Sequence, residues 1–426
     1  MDIQSIIKSL ENCPCGRKHT SDIKAIEIGK GLLKNTGEIL SSNDFPKKIL
    51  VVADRNTLGA SEGILENLSR SGFKYTLKLY DDMKTADMKD VMTIVDMSVD
   101  VDGILSVGSG SLNDICRLAS YKANKDFAIF ATAPSMDGFA SGAAPITYNN
   151  FKETYQACQP SIIIADTEIL ARAPAELKSA GFGDMIAKYI AIVDWKVSRL
   201  LTGEYYCENI IGLTRHALER MVALADRVMK VDEETAGAIM EALVFTGVAM
   251  KLADSTRAAS GTEHIISHFW EIKKLEQGQI SDYHGKKVGV ATLITNRIYR
   301  YLASHEKVNP HAENLNWDEI YSVYGENFIK DVKRVNNPTI TSETTPERIA
   351  ECWDEICEIV NKELPTNEEL LKLMKTAGAA TTIDEISVSQ ELGLQGVKYH
   401  PYMRYRMTLM RLIPMLGIEV DFEDFI

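Results

Sequence analysis

The strongest constraint on the fold is a change in the pattern of the sequence near residue 172. Before it, short apolar runs alternate with amphipathic segments of helical length, such as residues 61–70 and 87–96. This alternation predicts a parallel sheet, and helices on both faces explain why the runs are almost entirely apolar. The strand-like runs are residues 23–28, 48–53, 74–79, 103–107, 127–131 and 161–165.

After Pro174 the sequence is rich in Ala, Leu and Met and shows almost no β-branched alternation. We therefore predict an α/β domain over residues 1–172 and an all-helical domain over residues 173–426, without an internal repeat. Residues 309–345 are expected to carry a helix within surface connections. The other predicted helical segments are residues 184–201, 213–231, 233–253, 287–304 and 383–416.

Composition and charge exclude several functional classes. A net charge of −13 argues against a nucleic-acid binder, which needs a dense basic surface. The longest apolar runs have the length of a strand, and the first residues lack the basic and apolar pattern of a signal peptide. Seven scattered cysteines, an odd number, fit reduced thiols better than a disulfide framework. We therefore expect a cytoplasmic protein that binds neither nucleic acid nor membrane.

A glycine loop follows the fourth predicted strand. Residues 104–114 read Ile-Leu-Ser-Val-Gly-Ser-Gly-Ser-Leu-Asn-Asp, which predicts a buried strand, a turn and the start of a helix. Gly108 and Gly110 would let the backbone approach a phosphate at the helix N-terminus, and Asp114 would lie in the first turn. A tight turn without any ligand explains the same residues equally well.

Two further features support a nucleotide site at this edge of the sheet. Residues 131–142 form a second loop of small residues after the next strand, where doubly wound sheets bind ligands. Asp54 ends the second strand, where a carboxylate is placed to bind an adenosine ribose. The competing interpretation of Asp54 is an exposed turn residue.

Three segments of the helical half suggest a metal site. Asp184 is predicted to begin a helix, His264 and His268 lie four residues apart on one helix face, and His284 precedes another helix. One carboxylate and two imidazoles leave coordination positions open, as a catalytic metal requires. A histidine pair alone is more often packed or exposed without a metal. Glu263 lies beside the pair, but the His-Glu-x-x-His order is absent.

Residues 13–19, Cys-Pro-Cys-Gly-Arg-Lys-His, resemble half of a zinc knuckle. No second Cys/His pair lies nearby in sequence, and a structural zinc site normally has four protein ligands. We therefore favour a tight turn with surface thiols.

Taken in order, these segments resemble the iron-containing alcohol dehydrogenase superfamily and, within it, the sn-glycerol-1-phosphate dehydrogenases. The resemblance implies an N-terminal Rossmann-like domain that binds NAD(P) and a C-terminal helical domain that binds metal and substrate, the dehydroquinate synthase-like fold. It runs from about residue 20 to the C-terminus. The segments that carry it are Gly-Ser-Gly-Ser-Leu-Asn-Asp (108–114), Thr-Ala-Pro-Ser-Met-Asp-Gly (132–138), Gly-Phe-Gly-Asp (181–184), Ser-Gly-Thr-Glu-His (260–264) and His-Gly (284–285).

The resemblance also implies roles for individual residues. The metal ligands would be Asp184, His264 and His284, with zinc as the usual ion and nickel or iron in some relatives. Asp137 would face the substrate, a small polyol phosphate, and the assembly would be a homodimer or larger. The cofactor would contact Asp54, Gly108, Ser109, Gly110, Ser111, Asp114, Thr132, Ser135 and Ser141.

Two segments depart from the superfamily pattern. Residues 257–261 read Arg-Ala-Ala-Ser-Gly where relatives often have Arg-Pro-Ala-Ser-Gly, and the second departure concerns a metal ligand. Many members carry a fourth metal ligand four residues after the Asp, where this chain has Lys188. We predict that Lys188 or Arg257 holds the substrate phosphate, with Lys286 and Lys287 as second candidates, although a lysine pair is more often a solvated helix start. His268, together with Asp137, is predicted to bind substrate hydroxyls and relay the proton.

Three alternative functions stay open at this point. An unphosphorylated polyol or glycerol dehydrogenase would lack only the phosphate anchor. A lyase similar to dehydroquinate synthase would use NAD transiently and need more cations. A regulatory nucleotide-binding protein would keep the fold and lose the chemistry.

Overall fold

A computed structural model describes residues 3–148 and 151–426 of the protein. Within them, one six-stranded parallel sheet has the order β1-β8-β5-β4-β2-β3. Its strands are β1 (Ala25–Gly29), β2 (Lys48–Asp54), β3 (Lys74–Tyr80), β4 (Gly103–Gly108), β5 (Asp126–Ala131) and β8 (Ile162–Asp166). All six predicted strands are therefore confirmed, and the doubly wound α/β class with them.

The sequence did not predict an antiparallel hairpin between β5 and β8. It consists of β6 (Ala143–Tyr148) and β7 (Phe151–Gln156). These strands mix polar and apolar residues and contain no long apolar run. The search for apolar runs, which identified the buried strands, therefore did not find them. The hairpin has a role in the site, because β7 carries Lys152.

The helices of the first half cover both faces of the sheet. The buried residues of β2, β4, β5 and β8 alternate between two separate apolar clusters, one on each face. The helices of this half are α1 (Ile3–Ser9), α2 (Thr36–Ser42), α3 (Arg55–Ala60), α4 (Ile64–Arg70), α5 (Met88–Met97), α6 (Gly110–Ala123) and α7 (Thr167–Arg172).

From Ala175 onward the described chain contains helices and no strand, as the sequence predicted. The helices are α8 (Ala175–Ile186), α9 (Lys188–Thr202), α10 (Glu208–Val222), α11 (Glu233–Ala253), α12 (Thr262–Glu276), α13 (His284–Ala303), α14 (Trp317–Tyr324), α15 (Glu326–Val335), α16 (Pro346–Glu363), α17 (Asn367–Thr376), α18 (Gln390–Tyr399) and α19 (Leu409–Leu416). The region 309–345 carries two α-helices rather than one. α11 is long and apolar enough to cross a membrane, but most of it is buried inside the protein.

Asp184 does not begin a helix as predicted. It lies in the last turn of α8, and the backbone passes through Ala187 in helical conformation into α9. Gly181 and Gly183 lie inside this helix, although glycine disfavours helix interiors. The helix persists because both glycines lie in a tight tertiary contact.

Candidate active site

The two glycine- and serine-containing loops meet at the carboxyl end of the sheet. β4 and β5 are neighbours, so Gly108 and Ala131 lie side by side, and the loops that follow them are in contact. The Ser109 and Ser135 hydroxyl oxygens are 2.6 Å apart, and the Thr132 N–H donates to the Gly108 carbonyl at 3.3 Å. The tertiary structure therefore joins the two predicted cofactor loops into one surface.

The start of α6 has the features of a phosphate cradle. Gly110 has a φ of +45°, a left-handed conformation that favours glycine, and a side chain at Gly108 would collide with Leu112. The Ser109 side chain does not cap the helix, so it leaves the first N–H groups of α6 without a side-chain acceptor. Ser111, whose hydroxyl donates to the Lys84 carbonyl, lies in the same turn.

Asp114 acts through a buried arginine rather than at the loop itself. It lies beyond the first turn of α6 and forms an ion pair with Arg117 at 3.0 Å. Arg117 is fully buried and donates to the Gly138 and Phe139 carbonyls at 2.6 and 2.9 Å. Burial raises the pKa of Asp114 to about 6, although Arg117 counteracts this. The pair thus fixes the second loop, in which the Ser141 hydroxyl accepts from the Ala143 N–H.

Asp54 is buried, so the interpretation as an exposed turn residue is wrong. Its carboxylate caps α3 by accepting the Thr57 N–H at 2.8 Å, and its other oxygen faces the Met83 N–H at 3.4 Å. Because β2 is the neighbour of β4, Asp54 ends next to the glycine loop. A contact between Asp54 and a ribose stays a prediction.

Close packing of α8 against α13 places two of the predicted metal ligands. A Cβ on Gly285 would lie 1.9 Å from the Ala180 carbonyl oxygen, and a Cβ on Gly181 would lie 2.0 Å from the Pro134 carbonyl oxygen. No other residue permits these approaches. Gly285 therefore brings His284 at the start of α13 close to Asp184 at the end of α8. Gly181 lets the loop of residues 131–142 pack against the same helix, α8.

Asp184, His264 and His284 converge although they lie on three different helices. One potential ligand atom from each lies within 4.8 Å of the others, a separation that one metal ion can span. The His264 Nε2 is 3.3 Å from the Asp184 Oδ1, and the two imidazole centroids are 5.2 Å apart. The Asp137 N–H donates to the other Asp184 oxygen at 2.9 Å, which links the α/β loop directly to this cluster.

Glu263 orients His264. Its Oε1 accepts from the His264 Nδ1 at 2.6 Å and from the Gly261 N–H at 2.8 Å, and the side chain is fully buried. Because Nδ1 must donate here, Nε2 is directed at Asp184 and is free to bind a metal. The sequence placed Glu263 beside the histidines but gave no sign that it was their partner.

The protonation states follow from burial and from these contacts. Burial disfavours charge on His264, but hydrogen bonds to Asp184 and Glu263 outweigh it and raise its pKa to about 9. Burial lowers the pKa of His284 to about 3, so its imidazole is neutral. Burial opposes ionisation of Asp184, yet Lys188 and His264 hold its pKa well below its usual range. The cluster therefore combines one carboxylate with two imidazoles, one of high and one of low pKa, and a carboxylate with imidazoles is the donor set of a catalytic metal.

Lys188 is not a phosphate anchor, contrary to our prediction. Its side chain is fully buried, and its ammonium donates to the Asp137 carboxylate at 2.6 Å, the Asp184 carbonyl at 2.8 Å and the Asp184 carboxylate at 3.3 Å. These contacts use all three N–H donors. Burial disfavours the charge, but the two carboxylates outweigh it and raise the pKa of Lys188. Lys188 thus neutralises and positions Asp137 and Asp184.

The structure also contradicts the predicted phosphate contact of Arg257. Its guanidinium donates to the Glu204 carboxylate at 3.0 and 2.7 Å, to the Met407 carbonyl at 2.8 Å and to Ser198 at 3.2 Å, and it is nearly fully buried. These contacts join the α9–α10 connection to the C-terminal tail. Arg257 therefore has a structural role within the helical half.

His268 lies one turn beyond His264 on the same face of α12. Its ring is stacked on His284 with centroids 5.8 Å apart. Burial and the neighbouring His284 lower its pKa well below the ordinary value, so it is neutral. It is thus next to the cluster without belonging to the group of ligands.

A cationic cluster lies beyond His268 and consists of Lys152 and Glu271, which are partly buried, and Lys287, which is fully buried. Glu271 follows His268 by three residues on α12, Lys287 follows His284 by three on α13, and Lys152 reaches them from β7. The Glu271 carboxylate is 2.8 Å from the Lys152 ammonium and 3.3 Å from the Lys287 ammonium. Burial, together with repulsion by Lys152, lowers the pKa of Lys287 to about 8 despite the attraction of Glu271.

The sequence prediction had missed two members of this cluster. Lys152 lies on the unpredicted hairpin, and Glu271 carries no motif, although its spacing from His268 places both on one helix face. The interpretation of the lysine pair as a solvated helix start is wrong for Lys287, which is 1% exposed. Lys286 does face outward, toward Asp282 and Glu176.

Comparisons with known proteins agree with this geometry. Residues 27–174 match the family described as iron-containing alcohol dehydrogenase. The chain is 31% identical over 373 residues to glycerol-1-phosphate dehydrogenase (NAD(P)+) of Bacillus velezensis, covering 85% of this chain and 84% of that protein. It is 28% identical over 422 residues to the protein of the same name in Bacillus licheniformis, and the match covers 98% of this chain and 95% of that protein.

Solved structures share the fold at low sequence identity. A probable glycerol dehydrogenase from Sinorhizobium meliloti superposes with a TM-score of 0.62 at 14% identity, over 92% of this chain and 94% of that chain. This similarity confirms the fold class predicted from the sequence.

Proposed function

We propose that this chain, which belongs to the glycerol-1-phosphate dehydrogenase family of the iron-containing alcohol dehydrogenases, interconverts dihydroxyacetone phosphate and sn-glycerol 1-phosphate with NAD(P)H. The observation that carries the proposal is that three groups lie next to one another. The metal-ligand cluster adjoins the cofactor loops through the Asp137–Asp184 hydrogen bond, and Lys287 lies three residues, about one helical turn, after the ligand His284 and shares Glu271 with Lys152.

Asp184, His264 and His284 fit a divalent metal. Their ligand atoms are close enough to share one ion, the imidazole nitrogens are available, and Glu263 supplies the outer hydrogen bond usual for a metal-binding histidine. A bound metal would supply Lewis-acid polarisation of the substrate oxygen, and NAD(P)H would supply the hydride. Zn²⁺ suits this donor set, as do Ni²⁺ and Fe²⁺.

The cofactor would lie along the carboxyl ends of β2, β4 and β5. Gly108, Gly110 and Ser111 would hold the pyrophosphate, with Asp54 toward the ribose. Ser109, Thr132, Ser135 and Ser141 complete the lining of the two loops, and Asp114 supports them through Arg117.

Asp137 and His268 are the proposed substrate-facing residues. Lys188 holds Asp137 at 2.6 Å, and burial together with Asp184 raises the pKa of the Asp137 carboxyl. A carboxyl whose pKa is raised suits proton exchange with a substrate hydroxyl, and the neutral His268 imidazole suits hydrogen bonding to a second one. Both lie beside the metal ligands.

Lys152 and Lys287 replace Arg257 and Lys188 as the proposed phosphate anchors. Two ammonium groups share one carboxylate, so the cluster has one positive charge in excess. The lowered pKa of Lys287 indicates that its charge is incompletely compensated, and a phosphate would supply the missing negative charge.

The Lys287→Met variant tests this assignment. Loss of a charge-assisted contact of about 1.5–3 kcal/mol should lower kcat/KM for dihydroxyacetone phosphate by roughly 10- to 150-fold. The kcat/KM for dihydroxyacetone should change by less than about threefold, because that substrate has no phosphate. The matched control is Lys286→Met, which removes the outward-facing neighbour and should leave both values near wild type. Equal losses on both substrates would rule out a phosphate contact.

The reaction itself is tested with metal-analysed wild-type protein. We expect NADH or NADPH oxidation with dihydroxyacetone phosphate, loss of that activity with a chelator, and much slower oxidation with dihydroxyacetone. Faster turnover of dihydroxyacetone would instead support a glycerol dehydrogenase. Identification of the product as sn-glycerol 3-phosphate would contradict the proposed stereochemistry.

We propose a cytoplasmic enzyme that acts as a homodimer or larger assembly, with residues 1–172 binding the cofactor and residues 173–426 binding the metal and most of the substrate. Size-exclusion chromatography with light scattering would measure the assembly.

A further inference from the structure

A second group of potential metal ligands lies away from the active site. Cys13, Cys15 and His19 precede the first strand, and Cys207 is the residue before α10. One ligand atom from each lies within 4.8 Å of the others. The Cys13 and Cys207 sulfurs are 3.4 Å apart, and the Cys15 sulfur is 3.2 Å from the His19 Nε2. The chain fold therefore supplies the fourth ligand that the sequence near Cys13 lacks.

We infer that Cys13, Cys15, His19 and Cys207 bind a structural Zn²⁺ ion. Three thiolates and one imidazole are a standard set for a closed tetrahedral zinc site. With Zn–S bonds of about 2.3 Å, tetrahedral geometry places sulfurs about 3.8 Å apart, close to the separations in this cluster. This corrects our prediction of a tight turn with surface thiols. The turn exists, but its two thiols face the same point as the side chains of His19 and Cys207.

The backbone and the second partners of the ligands are arranged for metal binding. The Gly16 N–H donates to the Cys13 carbonyl at 3.2 Å, and Gly16 has a φ of +77°, so the Cys-Pro-Cys-Gly turn directs both sulfurs to one side. The His19 Nδ1 lies 2.6 Å from the Leu252 carbonyl. Because a carbonyl can only accept, Nδ1 carries the proton and the lone pair of Nε2 points into the cluster.

Neighbouring donors stabilise negative charge on the sulfurs. The Tyr205 hydroxyl donates to the Cys15 sulfur, and the Asn209 amide donates to the Cys13 sulfur, both at 3.4 Å. The Arg17 guanidinium lies 3.6 Å from the centre of the Tyr205 ring. His19 and Cys207 are buried and Cys13 and Cys15 are partly buried, and four protein ligands leave no coordination position open to a substrate. Its position indicates that the ion fastens the N-terminal segment to the ends of α10 and α11.

Metal analysis of the wild-type protein and two variants tests the inference. We expect two metal ions per wild-type chain, and loss of one in the Cys207→Ser variant. The His264→Ala variant should also lose one ion, but the one at the active site. Reconstitution with Co²⁺ separates the two, because only the thiolate site gives an intense sulfur-to-cobalt charge-transfer band. That band should persist in His264→Ala and disappear in Cys207→Ser.

A measurement on the unmodified protein covers the case in which Cys207→Ser fails to fold. A mercurial thiol reagent added with a chromogenic zinc indicator should release one zinc per chain, because the active-site ligands contain no sulfur. Absence of thiol-dependent zinc release would overturn the proposal. So would a Cys13–Cys207 disulfide in the mass spectrum of the freshly purified, non-reduced protein.

Discussion

The His264→Ala variant is expected to lose the active-site metal and at least about 10³-fold in turnover. A metal ion that acts as a Lewis acid stabilises the transition state by several kcal/mol, and each 1.36 kcal/mol of this stabilisation changes the rate by a factor of ten. His264 contributes the Nε2 that faces Asp184 at 3.3 Å, and Glu263 holds the other ring nitrogen. Metal content by mass spectrometry and steady-state NADH oxidation measure the two losses on the same sample.

The exposed residue His216 on α10 provides the matched control. His216→Ala should keep both the metal and the turnover. Glu263→Gln should give an intermediate result, a metal affinity weaker by roughly 10- to 100-fold, because it removes only the charge that orients His264. A His264→Ala protein that is metal-replete and active would contradict the ligand assignment.

The Lys188→Met variant is expected to lose about 3–5 kcal/mol of stability. The substitution leaves the Asp137 and Asp184 carboxylates buried without the ammonium that lies 2.6 and 3.3 Å from them, and two unpaired buried charges of like sign repel each other. The loss should be larger after chelation, because a bound metal compensates Asp184. Urea unfolding of the metal-loaded and metal-free proteins measures both values.

Lys196→Met is a matched change on the same helix. Lys196 pairs with Glu363 at 2.6 Å, but Glu363 keeps a second partner in Arg215 at 3.1 Å, so the expected loss is below about 1 kcal/mol. A double variant, Lys188→Met with Asp137→Asn, should recover part of the loss of Lys188→Met because it removes one of the stranded charges. Strictly additive losses would show that Lys188 does not stabilise Asp137.

The two metal clusters would give the enzyme different responses to reagents. A chelator would reach the active-site ion through an open coordination position. Of the two clusters, only that of Cys13, Cys15, His19 and Cys207 contains sulfur ligands that a thiol reagent can attack. We therefore expect conditions under which turnover is lost before the zinc of the cysteine cluster is released.

The sequence determined the architecture and the reacting groups. Apolar runs such as those of β2 and β4 predict a sheet that is covered by helices on both faces. The helical periodicity after Pro174 predicts a region without strands. The spacing of His264 and His268 determined that they share a helix face. The motifs around Gly108 and Asp184 indicated the family, which the comparisons bear out.

Only the tertiary structure decided which charged residues remain available to a ligand. Arg257 and Lys188 looked like free cations, yet both are saturated by protein acceptors, whereas Lys287 is buried with its charge incompletely compensated. It also brought Cys207 to Cys13 across 194 positions of sequence. The physical reason is that coordination and charge compensation depend on distances of a few ångströms, and spacing along a chain fixes such distances only within one helix or strand.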